Sequence, residues 1–155
     1  MTADYLHLTR DDGVATITID RPQVRNAIPP GGWEALHDLF DEVARDEAIR
    51  VLVLTGAGED FCSGADLTLD ELDDFRSPAV GREYMKQPGG AATRLHRLSK
   101  PVVAAVDGVA VGAGMNLALG CDVIIATTRA RFAEHAVAAF HEAIELSLVV
   151  LGQPV

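Results

Sequence analysis

The chain has 155 residues, 48% of them hydrophobic and 23% charged, with 23 acidic against 13 basic side chains and a formal net charge of -10. This length suits one domain with a real core, and the hydrophobic content excludes a disordered chain. The acidic balance leaves no basic footprint for nucleic acid and serves mainly solubility.

Met1 to His7 has no basic region followed by an apolar stretch, so no secretory signal is expected. No apolar run approaches the ~18 residues of a membrane span. A cytoplasmic location without a membrane partner is the expectation. Tyr5 to Arg10 alternates, Asp11-Asp12-Gly13 supplies turn residues, and Val14 to Ile19 is rich in β-branched residues, which together predict a hairpin. Arg21-Pro22 stops the second strand. Pro29, Pro30, Gly31 and Gly32 read as a breaker before a helix over Trp33 to Arg45, where Trp33, Leu36, Phe40 and Val43 fall on one face.

Val51-Leu52-Val53-Leu54 is a continuous apolar run of the kind found in strands buried on both faces. Leu69 to Phe75 reads as a short acidic helix, and Arg76 to Gly90 as a loop broken by Ser77-Pro78 and Pro88-Gly89-Gly90. A helix over Ala92 to Leu98, a strand over Val102 to Val106, a glycine-spaced loop and short helix through Leu119, and a strand over Val123 to Ala126 follow. Strands alternating with helices give the α/β pattern. In the tail, Ala133, Val137, Phe140, Ile144, Leu148 and Leu151 share one helical face, while Leu146 to Leu151 also suits a strand.

Two segments stand out for chemistry. Phe61-Cys62-Ser63-Gly64-Ala65-Asp66-Leu67 follows a strand directly, and its small residues can leave a backbone N–H pointing outward. The alternative is a plain turn. In Asp107 to Asn116 a strand runs through Gly108, Gly112 and Gly114 into a helix, whose first turn carries unpaired N–H groups. The alternative there is tight packing around the glycines. Neither Gly56 nor Gly112 opens a GxGxxG motif, so a dinucleotide fingerprint is unsupported. Cys62 and Cys121 lack ligand spacing and read as buried thiols in a reducing compartment. His37, His96 and His141 have no metal-ligand spacing with a carboxylate, so no metal is expected. Arg21, Arg25, Arg82 and Lys86 could meet phosphates or simply be solvated.

Taken together, the segments are more specific. Asp20-Arg21-Pro22 with Asn26-Ala27, Val51 to Gly56, Phe61 to Leu67, Lys100 to Gly108, Gly112 to Gly114, Cys121 to Ala126 and Ala130-Arg131-Phe132 come in a telling order and spacing. They resemble the enoyl-CoA hydratase/isomerase (crotonase) superfamily over residues 5 to about 133. The resemblance implies an α/β fold with the repeated ββα spiral core of the ClpP/crotonase type. It implies an acyl-CoA thioester whose enolate-like oxygen is held by two backbone N–H groups, at positions matching Ala65 and Ala113. Gly64 and Gly112 flank these donors. Ala65, Asp66, Leu67 and Thr68 match the thioester and pantetheine contact, and Gln23, Val24 and Arg25 the region near the adenine end. Coenzyme A is part of the substrate, and no separate cofactor is implied. A homo-oligomer, a trimer by resemblance, is the implied assembly.

The pattern also breaks. The position of the family's first glutamate, three residues after the second donor, is Asn116. A neutral amide can orient water but not take its proton. The second glutamate position is Ala136, with Glu134 and His135 near it in sequence. Residues 1–133 are expected to form the core and 134–155 an atypical helical tail, with the family's C-terminal part missing or shortened. Two functions follow: an acyl-CoA enzyme with altered carboxylates, or an inactive acyl-CoA-binding or truncated-gene product.

Overall fold

A computed structural model describes residues 3–66, 78–133 and 147–151. In chain order the elements are β1 (Leu6–Asp11), β2 (Val14–Ile19), a 3-10 turn at Pro22–Val24, α1 (Pro30–Arg45), β3 (Val51–Gly56) and α2 (Pro78–His96). Then come β4 (Val102–Val106), β5 (Val109–Val111), α3 (Ala113–Leu119), β6 (Val123–Thr127), β7 (Arg131–Ala133) and β8 (Ser147–Leu151).

The hairpin forms as its sequence predicts. Asp12 (φ 39°) and Gly13 (φ 79°) are both left-handed, the requirement of a two-residue turn that matches strand twist. β1 and β2 pair antiparallel, and all later pairings in the main sheet are parallel, in the order β1-β2-β3-β4-β6-β8. A second layer is built from β5 paired parallel with β7 and a single bridge from Cys62 to Ala110. The spiral is visible in this order. Each of β3, β4 and β6 lies in the main sheet and is followed at once by a short piece in the second layer. After the first two of these, a helix returns the chain.

Ile17, Leu54, Ala104 and Ile124 lie in one register row and are buried. They belong to one core cluster with Trp33, Leu36, Phe40 and Val43 of α1. Adjacent residues on the strands point the other way. Thr16, Val53, Val103 and Val123 form the neighbouring row and are only half-buried. The expectation of strands sealed on both faces is therefore corrected: helices close one face, and the other is partly open. The apolar run in the sequence does not separate the two cases, because valine suits either face.

α1 begins at Pro30, three residues earlier than the breaker reading placed it. Proline is favoured in a first turn, where its missing N–H has no partner to lose. Gly32 is needed there, since a Cβ would lie 2.5 Å from the Tyr5 hydroxyl and 2.8 Å from Ile28 Cγ2. The loop expected over Arg76 to Gly90 is a larger correction. α2 runs from Pro78 to His96 with Pro88 inside it. Packing outweighs the breakers: Ala91, Ala92 and Leu95 are buried, and a Cβ on Gly90 would come within 3.4 Å of the His37 ring. The glycine that reads as a helix breaker thus lies beside α1 at a distance where a Cβ would make an ordinary contact. In the tail, Ser147–Leu151 is a strand paired with β6, so the helical reading is corrected over those residues. The acidic helix at Leu69 to Phe75 and the rest of the tail helix lie outside the described residues. Among the described residues no helix is long and apolar enough to cross a membrane.

Candidate functional site

The loop that follows β3 is pinned on both sides. The N–H groups of Phe61 and Cys62 both donate to the Val109 carbonyl, at 3.1 and 2.9 Å, and Val111 N–H donates to the Cys62 carbonyl at 3.0 Å. On the other side, Ser63 N–H donates to the Arg25 carbonyl at 2.9 Å, and its hydroxyl to the Val24 carbonyl at 3.2 Å. The turn at Pro22–Val24 is thereby tied to the loop. Arg25 (φ 53°) and Asn26 (φ 57°) turn the chain through two left-handed residues. Asn26 makes this possible: it is fully buried, accepts from Arg21 N–H at 2.8 Å, and donates to the Ala57 and Asp60 carbonyls at 2.9 and 2.6 Å.

The bonds to Ile28 set the direction of the next peptide. Ile28 N–H donates to the Gly64 carbonyl at 2.8 Å, and Asp66 N–H donates to the Ile28 carbonyl at 2.9 Å. No peptide in the described chain is cis. In a trans peptide the C=O and N–H point in opposite directions. With the Gly64 carbonyl turned to Ile28, the Ala65 N–H points away from it, on a residue that is half-buried.

α3 meets this loop end-on. Gly112 caps it with φ 54° and ψ -122°; its N–H donates to the Ala133 carbonyl, and its carbonyl accepts from Asn116 N–H, both at 3.0 Å. Ala113 is the first helical residue, so its N–H has no acceptor within the helix. A Cβ on Gly64 would lie 2.8 Å from the Val111 carbonyl oxygen and 3.3 Å from the Ala113 nitrogen. A Cβ on Gly114 would lie 2.1 Å from the Cys62 carbonyl oxygen. Glycines at these positions let the two backbones touch, and Ala65 and Ala113 ride on adjoining segments.

The structure therefore brings together Gln23–Arg25, Gly64–Asp66 and Gly112–Asn116. Gln23 and Arg25 are exposed, Val24, Gly112, Ala113 and Asn116 half-buried, and Gly64 and Asp66 buried. Leu67, Thr68, Glu134, His135 and Ala136 lie outside the described residues. Arg21 does not point out toward a phosphate. It donates to the Ala27 carbonyl at 2.6 Å and to the Asp66 carboxylate at 2.8 Å, with its guanidinium 5.4 Å from the Tyr5 ring centre. The Asp66 side chain is 2% exposed, so it faces Arg21 rather than solvent. Ile28 and Ser63 carry no sequence signal for their part in the site, because they act through backbone or a single hydroxyl.

Burial pushes the Cys62 thiol up to about 12. It accepts from Gly64 N–H at 3.4 Å, so it supports the loop and does not serve as a nucleophile at neutral pH. Among the described residues, no group of three or more His, Cys, Asp or Glu is placed to hold a metal.

The family model of enoyl-CoA hydratase/isomerase matches residues 9–139. Over 123 residues the chain is 41% identical to 1,2-epoxyphenylacetyl-CoA isomerase of Escherichia coli (strain K12), a match taking in 79% of this chain and 47% of that protein. It is 35% identical over 135 residues to short-chain-enoyl-CoA hydratase of Clostridium acetobutylicum, covering 86% of this chain and 51% of that one. The crystal structure of an enoyl-CoA hydratase/carnithine racemase from Magnetospirillum magneticum superposes with a TM-score of 0.81 at 30% identity, over 90% of this chain and 54% of that chain. The chain spans about half the length of these curated relatives. The matched residues include the loops that carry Ala65 and Ala113, and the chain belongs to the enoyl-CoA hydratase/isomerase family.

Proposed function

We propose that this chain binds an acyl-CoA thioester and polarises its carbonyl between the N–H groups of Ala65 and Ala113. The observation that carries this reading is the pair of adjoining backbones, where the Ala65 N–H points away from Ile28 and the Ala113 N–H opens α3 with no acceptor inside the helix. Two such donors aimed at one oxygen stabilise the negative charge that develops there, and removing one donor typically costs about 2.7–4 kcal/mol. Gln23 to Arg25, tied to the same loop through Ser63, supply the surface for the adenine end of coenzyme A. Asp66, Leu67 and Thr68 continue the thioester side, and Gly64 and Gly112 give the backbone room. Coenzyme A comes with the substrate, and no separate cofactor is required.

Asn116 sits one helical turn after Ala113, where the resemblance places the first glutamate. It can hold a water or a substrate oxygen, but it cannot act as a base. With Ala136 at the second position, the carboxylates of a hydratase are replaced. This favours a second reading: an acyl-CoA-binding protein that polarises the thioester without turning it over. The assembly we propose is a homo-oligomer, a trimer by resemblance, formed in the cytoplasm.

Calorimetric titration with a saturated acyl-CoA, followed by crotonyl-CoA hydration on the same sample, tests both readings. Binding without turnover supports a site that polarises but lacks a base. Binding with turnover places proton transfer on a group other than Asn116. No binding overturns the proposal.

A further inference from the structure

Resting on the reading of Ala65 as a carbonyl-polarising donor, we propose that the Arg21–Asp66 ion pair is a positioning element that aims the Ala65 N–H. Asp66 directly follows the donor residue. Its carboxylate is 2% exposed and meets Arg21 at 2.8 Å, while the Arg21 side chain is 19% exposed. The same guanidinium nitrogen donates to the Ala27 carbonyl at 2.6 Å, one residue before Ile28. Ile28 holds both peptides flanking Ala65. Arg21 thus clamps the two segments whose mutual hydrogen bonds set the donor's direction, one through a carbonyl and the other through a carboxylate.

The clamp has its own supports. The Tyr5 ring lies 5.4 Å from the guanidinium carbon, a distance at which a cation is attracted to the ring face. Asn26 holds the Arg21 backbone N–H at 2.8 Å. A planar guanidinium that lies over the Tyr5 ring while one of its nitrogens reaches both acceptors suits arginine and not lysine, whose ammonium is a point charge on a flexible stem. The carboxylate is buried against Arg21, so the effect proposed for it is on geometry. A small misplacement of a catalytic group can cost on the order of 10²-fold in rate.

The test uses the full chain and a spectroscopic probe of carbonyl polarisation. An aryl enoyl-CoA with a para-dialkylamino group absorbs further to the red when its thioester carbonyl is polarised. Three variants are compared with the parent chain: Arg21→Lys, Asp66→Asn, and the double variant Arg21→Gln with Asp66→Asn. The double variant removes both charges at once and avoids leaving one buried charge unpaired, which is the severe case. Circular dichroism reports folding, and titration reports affinity for the probe separately from its spectrum. The expected result is a red shift with the parent chain that falls by at least half in every folded variant that still binds the probe. A folded variant that binds the probe with the full red shift overturns the positioning role. Loss of folding in all three makes the pair a requirement of the fold and also overturns it. A parent chain that binds the probe with no red shift overturns the polarisation reading itself, and this inference with it. The arms therefore separate the two failures.

Discussion

Gly114 shows how little space the site leaves at the scale of one residue. Its φ is not left-handed, yet a Cβ there would lie 2.1 Å from the Cys62 carbonyl oxygen. Gly114→Ala is therefore expected to destabilise by about 1–3 kcal/mol, the usual cost of overpacking, and to lower acyl-CoA binding by moving α3 off the loop. Thermal denaturation and calorimetry check the two effects. The thiols give a pH prediction. Burial pushes Cys62 and Cys121 from 9.0 up to about 12. Above pH 9 the unfolded chain releases these protons while the folded chain keeps them, so stability falls as pH rises through that window. Urea unfolding at pH 8 and pH 10.5 is expected to show the loss, with a Cys62→Ala, Cys121→Ala variant flatter over the same range. The family segments quoted from the sequence marked these positions as small or special. Arg21 was open between a phosphate contact and a solvated side chain, because nothing in the sequence tells which carboxylate 45 residues away will meet it.

At the scale of elements, periodicity served where one face of a helix or an alternating strand met the core. α1 and the β1–β2 hairpin were legible for that reason, since their apolar spacing and turn residues are local properties. α2 was not, because Pro88, Gly89 and Gly90 carry a local signal opposite to the tertiary outcome. The difference between the two glycines is testable. Gly90 faces His37, while a Cβ on Gly89 would meet nothing within 4 Å among the described residues. Gly89→Ala is expected to raise stability by about 0.5–1 kcal/mol, since glycine inside a helix costs about that much relative to alanine. A fall in melting temperature would show that the backbone at that position is not helical in solution. The strand at Ser147–Leu151 was one of two readings of an apolar stretch, and pairing with β6 decides between them. A five-residue apolar run carries too little periodicity to do so by itself.

For the whole molecule, the open side of the main sheet is the feature that bears on assembly. Thr16, Val53, Val103 and Val123 form one half-buried row, and Thr18, Thr55, Ala105 and Ile125 the next. Burying the rest of the valines and the isoleucine on this face would favour association. The chain is expected to sediment as an oligomer at micromolar concentrations and above. A single monomeric boundary at high concentration would overturn that expectation. With a net charge of -10, raising ionic strength is expected to strengthen association by screening self-repulsion.

The sequence by itself determined the α/β class, the hairpin and the family, because these rest on local spacing and on motifs that stay recognisable in order along the chain. The resemblance also pointed to Ala65 and Ala113 as the positions for two N–H donors. Only the tertiary structure decided which way those N–H groups face, because direction comes from bonds to Ile28 and from close backbone approaches at Gly64 and Gly114. It also decided that Arg21 and Asp66 meet in the interior. Long-range pairing of buried charges depends on how distant segments pack, and no local pattern records that.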